Sequence, residues 1–116
     1  MVRCVLVCEE EGNVTEIDTP LDKDMYTILK GTATFVGGWP ELDVVILKCE
    51  HSYFQLLENR NKLPRPFHEE SVIGPMLLVR MDEDAKPRDF TLMEYRAFLA
   101  ATGSTPSPTE QPSSTS

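Results

Sequence analysis

The chain of 116 residues carries 11 basic and 19 acidic side chains, a net charge of −8, with 41% apolar and 26% charged residues. That length suits one domain, which buries roughly two thirds of the surface its unfolded form exposes and needs no disulfide or metal to hold it. The negative charge repels nucleic-acid phosphates and anionic membranes at long range, and no run approaches the roughly 18 apolar residues of a membrane span.

Met1–Cys8 is too short for a signal peptide and reads as a strand. Its apolar residues alternate, with Val5 and Val7 opposite Cys4, Leu6 and Cys8. Glu9–Gly12 supplies a turn and Asn13–Ile17 a second strand, which predicts an N-terminal hairpin with a short loop. A helix follows over 20–30. Thr19 is its N-cap, Pro20 takes the first helical position, and Leu21, Met25, Ile28 and Leu29 form one apolar face. Gly31 ends it in the left-handed conformation.

Thr32–Val36 is a strand, and Gly37-Gly38-Trp39-Pro40 predicts a turn. Leu42–Cys49 is apolar on both faces, the mark of an interior strand covered on each side. His51–Leu57 fits a strand or a short helix, and Asn59–Phe67 is a loop by its Asn and Pro content. Ser71–Met81 is a strand in which Gly74-Pro75 marks a bulge or the start of an edge strand, and 82–88 is a charged turn. In the last helix, Thr91 and Glu94 make a capping box and Phe90 and Tyr95 a hydrophobic staple, with Leu92, Tyr95, Phe98 and Leu99 facing the core. The order β-β-α-β-β-β-α predicts an α+β fold, a mainly antiparallel sheet of about five strands with two short covering helices. The domain occupies 1–100. Residues 101–116 form a Ser/Thr/Pro-rich tail whose composition predicts disorder.

Taken in order, the hairpin and capped helix, FVGGWPELDVVILK at 35–48, NRNKLPRPF at 59–67, GPMLLVRMDED at 74–84 and DFTLMEY at 89–95 resemble a family of small uncharacterised proteins of large algal DNA viruses and algal genomes. The layout is also similar to a small phage and bacterial family with an Asn-Arg pair and a Gly-Pro strand before an acidic turn and a final helix. The resemblance spans about residues 2–99, against one domain's expected length. It implies fold class and domain extent, and no catalytic residue.

Three sets of side chains carry chemical interest. Cys49, His51 and His68 are the candidate metal or thiol site, but zinc prefers four ligands in better-spaced pairs. Cysteines inside apolar strands behave as small hydrophobes. No cofactor pattern is present, since Gly31, Gly37 and Gly38 match neither phosphate-binding spacing. Arg60, Lys62 and Arg65, with Tyr53 and Phe67 nearby, are the local basic and aromatic concentration. Such a mixture suits a protein partner or, against the charge of the whole, a nucleic-acid strand. Trp39 is a core residue or, if exposed, a recognition anchor. Three cysteines in no disulfide spacing favour a reducing interior, cytoplasm or nucleus.

The sequence therefore predicts a small acidic protein-interaction or regulatory module without catalysis, with an unknown protein partner. A metal or thiol enzyme using Cys49, His51 and His68, and a nucleic-acid accessory protein using Arg60–Arg65, are the alternatives. The two-faced strands also predict a possible homodimer, because two short helices leave apolar surface to cover.

Overall fold

The computed structural model describes residues 1–20, 25–51 and 56–102, with His51 described through its backbone alone. The elements are β1 (Val2–Val7), β2 (Val14–Thr19), α1 (Met25–Leu29), β3 (Thr32–Trp39), β4 (Val44–His51), β5 (Met76–Met81), β6 (Pro87–Arg88) and α2 (Leu92–Thr102). The fold is α+β: one antiparallel six-stranded sheet in the order β2-β1-β5-β4-β3, with β6 paired to β5, and two helices.

Alternation in β1 sorts the two cores. Val5 and Val7 enter one cluster with Trp39, Ile46, Met76, Leu78 and Phe90, under α2 and the 56–75 segment. Cys4 enters the other with Leu29, Leu77 and Val79, under α1, and Leu6 packs against its margin. Both faces of β5 are consequently buried from Met76 to Val79, as expected of the central strand. Phe35, paired with Leu47 in the sheet, stays 64% exposed.

Several sequence expectations are corrected by the structure. The predicted turn at Gly37–Pro40 is strand as far as Trp39, and the turn falls at Pro40–Asp43, where Leu42 N–H donates to Trp39 O at 3.0 Å. These glycines serve close approach. A Cβ on Gly38 would lie 2.5 Å from Val44 O, and one on Gly37 would lie 2.5 Å from the Phe67 ring. A register shift between Phe35 and Gly37 inserts one residue, and a one-residue shift flips the side chains to the other face. Trp39 thereby points into the core.

The second correction is at the end of α1. Lys30, with φ 62°, is left-handed rather than Gly31. The Gly31 N–H donates to Tyr26 O at 3.0 Å, the long bond of a Schellman cap displaced by one residue. Residues 21–24, which carry Leu21 of the predicted helix, lie outside the described residues. So do 52–55, within the 51–57 stretch that fits a strand or a short helix, and 103–116, most of the predicted tail. β5 is shorter than predicted because Gly74, at φ 89°, breaks the strand before Met76.

The start of α2 follows its sequence signals. Thr91 N–H donates to Glu94 Oε1 at 3.1 Å and Glu94 N–H to Thr91 Oγ1 at 3.2 Å. The Phe90 and Tyr95 rings meet edge to face at 6.3 Å. Arg80 seals the junction: its guanidinium lies over the Phe90 ring at 5.1 Å, pairs with Glu94 at 2.9 Å and donates to the carbonyls of Leu42 and Asp89. The helix runs two residues past the predicted domain end, to Thr102.

Candidate binding site

The 56–75 segment has little secondary structure of its own, and two asparagine side chains tie it to the β1–β2 hairpin. Asn59 is buried and donates to Val7 O at 3.1 Å and Gly74 O at 2.8 Å. Asn61 donates to Cys8 O at 2.7 Å and Glu10 O at 2.8 Å, and its Oδ1 accepts the Gly12 N–H at 2.8 Å. Between them, Arg60 N–H donates to Glu9 O at 2.8 Å. The two amide side chains and the Arg60 N–H thus bond the main chain where the hairpin meets this segment, as a sheet ladder would.

This clasp fixes one wall of a cleft of about 390 Å³. The hairpin tip at Glu11, Gly12 and Val14 forms a second wall, and α2 forms the third through Leu92, Tyr95, Arg96 and Leu99. Those α2 positions recur at helical spacing and so share one face. The lining is largely apolar, with Arg60, Lys62 and Arg96 among it and Glu11 as its one carboxylate. Among the described residues, the side chains of Arg60, Lys62 and Arg96 make no ion pair, whereas Arg3, Arg80 and Arg88 each do. Three unpaired cations beside an apolar floor, in a chain of net charge −8, can hold carboxylate or phosphate oxygens at the rim and one apolar side chain below. On the other side of Arg60, Glu9, Glu10, Glu11 and Glu58 line a second, acidic pocket of about 460 Å³.

Of the predicted binding residues, the structure brings Arg60 and Lys62 to the cleft and gathers Trp39, Arg65 and Phe67 into a second group away from it. Arg65 is exposed and does not line the cleft; its carbonyl accepts the Trp39 Nε1–H at 3.0 Å. Trp39 is 1% exposed and packs edge to face on Phe67 at 5.8 Å and Phe98 at 5.4 Å, so it takes the core role of the two considered for it. Phe67 is half-buried in that contact. Tyr53 lies outside the described residues. Arg96, Leu92 and Leu99 are the additions. The sequence carried a signal for Arg96, because it stands four residues after Leu92 and three before Leu99 and so shares their helical face.

Cys49 belongs to the cluster under α1, whereas His68 follows Phe67 in the segment covering the opposite face. The side chain of His51 lies outside the described residues. Among the described residues no group of three His, Cys, Asp or Glu side chains is placed to hold a metal ion. His68 Nε2 lies 3.5 Å from Glu69. Burial, with the charges of Asp89 and Asp18, pushes the Cys4 thiol up to about 11, and burial raises Cys8 also. Thiols held protonated are poor nucleophiles. Burial alone raises the Tyr95 phenol.

A family model matches residues 4–98, so the chain belongs to the family of unknown function DUF5880. No curated protein and no solved structure matches it.

Proposed function

We propose that this family member is a non-catalytic binding module whose Arg60–Lys62–Arg96 cleft holds an acidic segment of a partner protein. One observation carries the reading: three cations without ion pairs among the described residues converge on an apolar cleft of an otherwise acidic chain. An acidic side chain at the rim satisfies the cations, and an apolar one between Leu92 and Leu99 leaves water. A nucleic-acid strand is less well suited, because Tyr95, the aromatic residue of the cleft, is 2% exposed and offers no free ring for a base to stack on. Cys49 packs in the cluster under α1 while His68 follows Phe67 in the segment over the other face, which argues against an enzyme that pairs the two.

The test uses a labelled acidic peptide of alternating Glu and Leu and follows fluorescence anisotropy against charge-reversed variants. Lys62→Glu with Arg96→Glu should weaken binding at least tenfold while the melting temperature holds. Arg65→Glu, outside the cleft, should bind as the parent does. Equal affinity in all three proteins removes the cleft from the proposal.

An intracellular site of action belongs to the same proposal, resting on three free cysteines, as does an origin in large algal DNA viruses or algal genomes, resting on the shared layout. Among the described residues no helix is long and apolar enough to cross a membrane. Homodimerisation through the exposed Phe35 face is a separate expectation. A chain that sediments as a monomer at high concentration removes it.

A further inference from the structure

We infer that the segment following α2, when phosphorylated at Thr105 and Ser107, folds back into the cleft of its own chain and competes with the partner; this rests on reading the cleft as a site for acidic groups. The cleft-facing side of α2 ends at Leu99, and the helix ends one turn later at Thr102. Thr102 thus stands one turn, about 4.5 Å, beyond the cleft-lining Leu99, and the sequence continues from it as GSTPSPTEQPSSTS.

The reach is adequate. Thr105 and Ser107 stand three and five residues beyond Thr102, about 10 and 17 Å of extended chain. Arg96 stands six residues before Thr102, about 9 Å back along the helix. Both hydroxyls directly precede a proline, a sequence context that disfavours helix.

Charge supplies the switch. Unmodified, the segment has Glu110 as its single acidic side chain against three cations. Each phosphate adds about −1.5 to −2 charges and three acceptor oxygens. A proline-directed kinase would transfer the γ-phosphoryl group of ATP. A bond forms from the hydroxyl oxygen to phosphorus, the bond to the ADP oxygen breaks, and the hydroxyl proton passes to the kinase's base. Tethering then presents the phosphates at an effective concentration on the order of millimolar, without any new partner.

The test takes the full chain, phosphorylated in vitro by a proline-directed kinase with Mg-ATP and checked by intact mass. Its amide spectrum is compared with the unmodified chain and with T105A/S107A carried through the same reaction. Expected are shifts at Arg60–Lys62 and Arg96–Leu99, unchanged at tenfold higher protein concentration and absent from phosphorylated K62E/R96E. The Glu/Leu peptide should also bind the phosphorylated chain at least tenfold more weakly. Unmoved amides, shifts that persist after charge reversal, or shifts that grow with concentration each overturn the inference. Equal peptide binding with and without phosphate overturns it and leaves the cleft reading standing. Peptide that binds neither form, alongside the expected amide shifts, removes the partner reading and keeps the tail contact.

Discussion

Asn59 Oδ1 accepts the backbone N–H of Asn61 at 2.9 Å, so one asparagine shapes the turn that aims the next. The local bond is an Asx turn. The long-range bonds of the same two side chains, to Val7, Cys8, Glu10, Gly12 and Gly74, fasten the turn to the hairpin and leave Arg60 and Lys62 to line the cleft.

Asn59→Ala should therefore destabilise the fold by about 2 kcal/mol, since it removes two buried hydrogen bonds, to the Val7 and Gly74 carbonyls. Asn61→Ala, at a half-buried position, should cost about 1 kcal/mol. Urea unfolding of both variants measures the difference, and the reverse order would contradict this account of the clasp.

The two strand glycines should behave differently. Gly38→Ala places a methyl against Val44 backbone oxygen, which cannot move without parting β3 from β4; a loss of about 2–3 kcal/mol is expected. Gly37→Ala meets the Phe67 side chain instead, so Phe67→Leu in the same chain should recover part of its loss. A double-mutant cycle in urea reads that recovery.

Removing the Thr91 hydroxyl by Thr91→Ala should cost about 1 kcal/mol through the lost cap. Burial raises the Glu94 carboxyl, but hydrogen bonds from Thr91 and Arg80 and the charge of Arg80 outweigh it, and the net pKa lies below the ordinary 4.5. A depressed carboxyl pKa gives stability that is present above pH 4.5 and lost as pH falls through the folded value. Glu94→Gln should flatten that part of an acid unfolding curve.

Cys4 has the opposite sign. With its thiol raised from 9.0 to about 11, the unfolded chain ionises first, so its contribution is intact below pH 9 and disappears between pH 9 and 11. Cys4→Ala should remove that alkaline loss in a pH-dependent melt. Cys4 should also resist maleimide at pH 8 in the native protein, because the thiol is buried as well as protonated.

Sequence reading reached the elements whose signals are local. Thr91 and Glu94 announce their helix through spacing alone, and the alternation of Val5 and Val7 against Cys4 and Leu6 sorts the faces. It did not reach Gly37–Trp39, where a turn-like composition serves a close approach to Val44 and Phe67, partners distant in sequence. For the cleft, Arg60 and Lys62 were visible as a basic cluster. Their company with Arg96 and Leu99 depends on Asn61 reaching Cys8, about fifty residues away, and no local pattern encodes that.

The most direct test of the central claim is an amide-shift titration of the unmodified chain with the Glu/Leu peptide, at low and at high salt. The account predicts shifts confined to Gly12–Val14, Arg60–Lys62 and Leu92–Leu99. Affinity should fall as salt rises, despite the net charge of −8, because the local cations dominate at contact. Shifts centred elsewhere on the molecule, or no shifts at low salt, would contradict it.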